Sequence, residues 1–363
     1  MLDSKIVLAS RFLTKGGVEM NRGNRIVGLL VAGLSMVGAL SALPVVAHAD
    51  ATIGDIFYTT YDGVARVFTR SYSFDGTTLT YGGVTTISST TNGLGGADGI
   101  VFDPTDPNYL LIGGQNNFIY RVNIATGTAT ASSATTGANY HLAITPDGVN
   151  VLGSDIPGTN VSKVSLSPFG AASNFTIVGA DSVITGIVFD GLGNAYYSTA
   201  NAVGTGGNFG TAVFGAGTIT TTRLLTGLDA HGLQFDPFTG DILLFGDNQI
   251  NQFDLGSNSI IGTLAIGGAS AQFDQGTIDG KGHVFVASND GNMLFIDYSA
   301  SGNVGSGTNF TNYQFFQANL DDVAPLSGLG SHQPVPEPAS MLLFGLGGIG
   351  AAFSRRRKFF AKI

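Results

Sequence analysis

Between Asp50 and Pro334 this 363-residue chain has no cysteine, no tryptophan and no glutamate. Without cysteine no disulfide can staple the fold, so a hydrophobic core must hold it. A stretch of about 280 residues is ample for one. Without tryptophan, repeats built on a Trp-Asp signature are disfavoured. Basic residues are nearly missing too: Arg66, Arg70, Arg121, Lys163, Arg223 and Lys281 face twenty-two aspartates, a net of −16 against −9 for the whole chain. A basic face for nucleic acid or an anionic membrane is thereby excluded. What remains is abundant Gly, Thr, Asn and Asp between alternating Val, Ile, Phe and Tyr, the composition of an all-β domain with many tight turns.

The other ten basic residues lie at the two ends of the chain. At the N-terminus Arg22 and Arg25 precede an apolar run, Ile26–Leu43, and the small-residue sequence Ala47-His48-Ala49. That order predicts a signal peptide region over residues 1–49 with a signal helix, cleaved before Asp50; a retained membrane anchor is the alternative. Residues 1–19 fit no signal-peptide pattern, and Met20 makes the better start.

At the C-terminus Val335-Pro336-Glu337-Pro338 is followed by apolar Ala339–Phe353 and then by Ser354, Arg355, Arg356, Arg357 and Lys358. A Pro-bracketed acidic motif, one hydrophobic span and a basic stop cluster resemble the PEP-CTERM sorting signal of exopolysaccharide-producing Gram-negative bacteria. The resemblance implies an exosortase as partner and a transmembrane helix over 339–353 held transiently in the inner membrane. It also implies a destination at the cell surface or in extracellular matrix, and exopolysaccharide as a further partner. Fifteen residues give about 22 Å of helix, short against a hydrocarbon core of roughly 30 Å. By the positive-inside rule the arginines stay cytoplasmic and everything before Pro336 lies outside. Residues 329–334 read as a linker and 335–363 as the sorting signal.

Residues 50–328 carry an internal repeat. Segments ending in a large apolar residue recur: Gly99–Asp103, His141–Thr145, Gly186–Asp190, Gly232–Asp236 and Gly276–Asp279, with a degenerate sixth at Asp322–Leu326. Anchored on Phe102, Ile144, Phe189, Phe235, Ile278 and Pro325, the spacings are 42, 45, 46, 43 and 47. Each anchor is followed by a turn, a buried strand, an alternating strand and a polar outer strand. This order and period predict a six-bladed β-propeller of four-stranded blades. The sixth anchor lacks downstream strands, whereas the segment after Asp50 supplies Ile56–Thr60, Val64–Arg70 and Leu79–Ile87. Asp321–Leu326 is therefore expected to pair with Ile56–Thr60, closing the last blade from both termini and removing exposed edges. A five-bladed ring or an open β-sandwich is the alternative. With blade openings such as His231–Pro237, the pattern resembles propellers of the NHL, gluconolactonase and streptogramin-lyase kind, a likeness of fold that says little about activity.

At the starts of the innermost strands stand Asp98, Tyr140 or His141, Thr185, His231, Asp274 or Gln275, and Asp321. Six polar side chains converging on one mouth could take a polar ligand or a divalent cation, with three carboxylates suiting Ca²⁺ or Mg²⁺ over zinc. The alternative is that they bond loop amides and channel water. The gluconolactonase-like enzymes that the repeat resembles hold their metal partly through a glutamate, which this stretch lacks. The streptogramin-lyase-like ones use a histidine with acidic partners, and His141 or His231 could act as a base near neutral pH. His283, after Gly282, reads as solvated. The function expected is a non-catalytic binding or matrix protein, with a metal-dependent lactonase- or lyase-like enzyme as the alternative.

Overall fold

The computed structural model describes residues 52–155, 158–199, 206–228, 230–266 and 271–324. The expected signal helix, the linker and the C-terminal transmembrane helix lie outside these residues. Among the described residues, no helix is long and apolar enough to cross a membrane.

The described chain is all-β, broken only by one 3₁₀ turn at Thr90–Asn92. It opens with β1 (Thr52–Thr60), β2 (Ala65–Phe74) and β3 (Leu79–Ser89). Five four-stranded meanders follow. The first is β4 (Ile100–Phe102), β5 (Tyr109–Ile112), β6 (Tyr120–Asn123) and β7 (Ala129–Ala131). The next is β8 (His141–Ile144), β9 (Asn150–Ser154), β10 (Asn160–Leu166) and β11 (Phe169–Gly179). Then come β12 (Gly186–Phe189), β13 (Ala195–Thr199), β14 (Gly207–Phe214) and β15 (Thr218–Leu228). The fourth is β16 (Gly232–Asp236), β17 (Asp241–Gly246), β18 (Gln249–Asp254) and β19 (Ser259–Ala265). The fifth is β20 (Phe273–Ile278), β21 (His283–Ser288), β22 (Asn292–Asp297) and β23 (Phe310–Phe315), after which only β24 (Leu320–Val323) remains.

That last strand pairs antiparallel with the first, Tyr58 opposite Val323 and Thr60 opposite Leu320. The Ala324 amide donates to the Phe57 carbonyl at 2.8 Å and extends the joint. In one respect the sheets differ from six separate units. β11 and β15 pair in parallel from Thr176–Thr218 to Gly179–Thr221. This fuses two meanders into one eight-stranded sheet, and its two end strands, β8 and β12, also touch, so the sheet is nearly closed and barrel-like. The joint lies between the end of β11 and the start of β15, each an outer strand of eleven residues.

The innermost strands touch in series, β4 to β8 to β12 to β16 to β20 to β24, and β24 touches β4. Glycines in this series permit the close approach. A Cβ on Gly99 would sit 2.6 Å from the Tyr140 carbonyl oxygen, and one on Gly232 would collide with the Asp274 carbonyl. Apolar clusters fill the gaps between successive sheets. The joint between β20–β23 and β24–β1–β2–β3 is rich in rings, with Tyr58, Phe68, Tyr72, Phe74, Phe285, Phe295 and Phe316 all buried. Tyr72 meets Phe285 edge-on at 4.8 Å and Phe74 meets Phe295 at 4.9 Å. Each such pair adds about 0.5–1.5 kcal/mol beyond burial, which suits a closure with no covalent staple.

Candidate metal centre

Extended backbone carries a side chain to alternate faces, so one residue at the start of each innermost strand points toward the common centre. His141 opens β8, and Asp274, Asp321 and Asp322 stand near the starts of β20 and β24, while His231 directly precedes β16 and Asp98 stands two residues before β4. Two departures from regular pairing lie beside these residues. Register shifts fall between Phe273 and Gly276 in β20 and between Tyr58 and Thr60 opposite β24. β24 is buried on both faces, so both Asp321 and Asp322 are enclosed although neighbours on a strand face opposite ways.

Asp274 is the hub. Its Oδ1 lies 3.4 Å from His141 Nε2 and 3.3 Å from His231 Nε2. The two imidazoles stand edge-to-face with centroids 5.0 Å apart. His141 Nδ1 faces Asp322 Oδ2 at 3.7 Å on its other side. Asn289 donates to Asp274 Oδ2 at 3.2 Å, fixing the carboxylate so that Oδ1 is left toward the histidines. Asp321 comes within hydrogen-bonding range of both Asp98 and Asp274. Burial is nearly complete for Asp98, His141, Asp274, Asp321 and Asp322, whereas the His231 side chain is 18% exposed.

Burial pushes the carboxyls of Asp98, Asp321 and Asp322 well above the usual carboxylate range. The neighbouring carboxylates push the same way, Asp321 on Asp98 and Asp274 on both Asp321 and Asp322. This polar group is not closed by its own hydrogen bonds. Both ring nitrogens of His141, Asp274 Oδ1 and Asp321 Oδ2 are buried with no hydrogen bond. Neither Asp322 oxygen makes one of ordinary geometry, and the Gln275 amide gives it only slight relief. Buried polar atoms left without partners cost about 1–3 kcal/mol each, more when charged, so a native cluster of them asks for a further partner.

A divalent ion fits that demand. The ligand atoms of His141, His231 and Asp274 all lie within 4.8 Å of one another. Nitrogen and oxygen ligands about 2.1 Å from a tetrahedral ion stand roughly 3.4 Å apart. Both histidine-to-Asp274 distances match that spacing.

Asp98, His141, His231, Asp274 and Asp321, five of the residues expected at the mouth, meet at this centre. Thr185, the sixth, is buried just before β12, where its carbonyl accepts from the Ser154 hydroxyl. Asp322 joins them unforeseen. The Tyr140-or-His141 ambiguity falls to the histidine. His283, expected to be solvated, is instead fully buried, with Nδ1 2.6 Å from Asp279 and Nε2 3.6 Å from Asp297.

Outside the described residues, the sorting segment finds its counterpart. Residues 334–358 match the model of the PEP-CTERM protein-sorting motif, covering Pro336, Glu337, Pro338, Arg355, Arg356 and Arg357. That motif implies export, a transient membrane-anchored stage and sorting by an exosortase. No curated protein matches it. Among solved structures, Kuenenia stuttgartiensis hydrazine synthase is similar over 69% of this chain and 79% of its own, at 11% identity and a TM-score of 0.47. A likeness that slight carries no argument.

Proposed function

We propose that the five meanders and the closing sheet of β24, β1, β2 and β3 are the blades of a six-bladed β-propeller, and that this exported propeller holds a divalent cation on its axis. In this reading it is a non-catalytic binding or matrix protein of the cell surface. The pairing of β24 with β1 and the serial contact of the innermost strands support the ring. The observation that carries the ion is the unbonded set of His141, Asp274, Asp321 and Asp322 atoms, buried at one centre. Two imidazoles beside carboxylates make a mixed nitrogen–oxygen set. Zn²⁺ or Mn²⁺ suits it better than the Ca²⁺ or Mg²⁺ that carboxylates alone suggest.

The sorting signal and the strongly acidic composition between Asp50 and Pro334 favour binding over turnover. Among the innermost strands, Val101, Ile144, Ile187, Val188 and Val323 line a small cavity of about 30 Å³. One observation favours the second reading, a metal-dependent lactonase- or lyase-like enzyme: His231, partly exposed, stands where a base would meet a ligand. The likeness to NHL, gluconolactonase and streptogramin-lyase propellers belongs with that reading.

Elemental analysis of the full chain, extracted in detergent after export, tests the ion. About one equivalent of Zn²⁺ or Mn²⁺ is expected, lost on His141→Ala and Asp274→Asn. A chain that stays metal-free after dialysis against Zn²⁺, Mn²⁺ and Ca²⁺ in turn would sink the proposal. Metal-dependent lactone opening abolished by His231→Ala would move the protein to the enzyme class. Removing Val335–Ile363 should mislocalise the product; unchanged placement would count against the surface role.

A further inference from the structure

The fused eight-stranded sheet has a second feature, at the other end of its inner strands. Thr145, Pro146, Asn150, Lys163, Phe175, Phe189, Asn194, Tyr196, Thr211 and Phe214 line a cavity of about 700 Å³ there. His141 and Thr145 lie four residues apart on one strand, so roughly 13 Å separates this cavity from the metal centre. The volume lies within the range of small-molecule sites, about 300–1,000 Å³.

Its walls are aromatic. Phe214 meets Phe175 edge-on at 5.2 Å and lies tilted to Phe189 at 5.7 Å, and all three rings are only partly buried. Its rim offers the side-chain amide of Asn150, the hydroxyl of Thr211 and the amide oxygen of Asn194, whose nitrogen already donates to Asp190 at 2.8 Å. One cation stands among them: Lys163, whose ammonium is 5.2 Å from the Phe175 ring centroid.

Of the six cations between Asp50 and Pro334, Lys163 is the one that lines this cavity. Like Lys281 it makes no ion pair among the described residues, and it rests on Phe175 as Arg70 rests on its rings. Asp103 pairs with Arg121 and Asp181 with Arg223. Arg66 donates to the Tyr61 carbonyl, and Arg70 stacks on Tyr81 and Phe316. A ligand that satisfies all three features needs C–H faces for the rings, hydroxyls for the amides and a carboxylate for the ammonium.

We propose that this cavity is a binding site for an acidic saccharide, a pyranose unit that carries a carboxylate. Saturated C–H edges lie on Phe175 and Phe214, the carboxylate reaches Lys163, and ring hydroxyls meet Asn150 and Asn194. The ion at the far end of the strands plays no part, so this site stands or falls apart from that one.

Calorimetric titration of the full chain with trigalacturonate, in excess chelator so that the uronate carries no metal, tests it. Saturable binding is expected, at least tenfold weaker with neutral maltotriose. Lys163→Gln should weaken trigalacturonate at least tenfold and Lys163→Arg should restore most of it. Phe214→Ala should weaken both saccharides. No binding of trigalacturonate overturns the proposal, and so does binding that Lys163→Gln leaves unchanged. Lys163 is half-exposed, so its loss leaves the fold intact; an unchanged circular dichroism spectrum and melting temperature verify that.

Discussion

Two buried histidines, His141 and His283, sit between aspartates, and the difference between them separates a ring anchored by its own turn from one that its own turn does not hold. His283 donates from Nδ1 to Asp279 four residues earlier in its own turn, since a carboxylate can only accept. The same carboxylate accepts the His283 and Lys281 amides. Phe295 stacks on the ring at 5.8 Å, and Phe74 meets its edge at 5.9 Å. His141 also lies between two carboxylates, but at 3.4 and 3.7 Å, and neither nitrogen makes a hydrogen bond. Its carboxylates come from strands more than a hundred residues away. A local turn anchors the first ring through Nδ1 and leaves Nε2 facing Asp297 at 3.6 Å, whereas chain topology assembles the second site and anchors neither nitrogen of His141.

The widest gap between the two sites should open on adding metal. At a thousand times the dissociation constant, an ion that binds only the folded chain stabilises it by about 4 kcal/mol. Thermal melting in Zn²⁺ against chelator should show this for the parent and for His283→Ala, and lose it for His141→Ala. Equal metal response in all three chains would erase the contrast drawn here.

His283→Ala should come next. It removes a buried ring and strands two carboxylates, at a cost of about 3 kcal/mol whether or not metal is present. Urea unfolding in chelator measures this directly. His141→Ala under the same conditions should cost less, because no hydrogen bond is lost with it.

Acidity provides a third separation. Asp98, Asp321 and Asp322 have folded pKa values raised above their unfolded ones, so the folded state holds protons that the unfolded state has released. Without metal, stability should be highest near and below the unfolded carboxyl value of about 4 and should fall as pH rises through the folded values. The slope is about 1.4 kcal/mol per pH unit for each group in its window. With metal the sign reverses, because protons compete with the ion. Urea midpoints at several pH values, with and without Zn²⁺, should therefore diverge; parallel curves would remove the carboxyl cluster from the explanation.

The sequence spoke clearly of what repeats and poorly of what crosses. Phe102, Ile144, Phe189, Phe235 and Ile278 mark the strands that pack against one another, because burial on both faces selects large apolar residues at a fixed period. The Asp-Gly and Asp-Pro turns were legible for the same local reason. The pairing of Leu320–Val323 with β1 could be read from a strand short at each end of the chain. The joining of Thr176–Gly179 to Thr218–Thr221 could not, since two Thr-rich edges give no sign that they will meet. At the candidate metal centre, strand alternation points to either Asp321 or Asp322. A strand covered on both faces encloses both, and nothing in the residue types announces which neighbours each will meet. His283 was missed because a His after a glycine looks like a turn, and the rings against it come from Phe295 on the next strand and from Phe74, some two hundred residues earlier.

Asp322→Asn draws the smallest effect and the most discriminating one. Asp322 lies at zero exposure with Asp274 as the charge acting on it and a hydroxyl of Thr59 bonded to its backbone amide. In chelator at neutral pH the substitution removes one buried carboxyl from a crowded set and keeps the shape, so stability should rise by about 1 kcal/mol. In saturating Zn²⁺ the same change withdraws negative charge from beside the ion, and stability should fall by a similar amount. His283 offers no such reversal, because Asp279→Asn or Asp297→Asn weakens a completed hydrogen-bonded turn with or without metal. A gain in chelator that turns to a loss in Zn²⁺ would show that the Asp322 carboxylate is tolerated for the sake of the ion. A loss under both conditions would make it one more structural aspartate, and His141 would then be the fellow of His283 rather than its opposite.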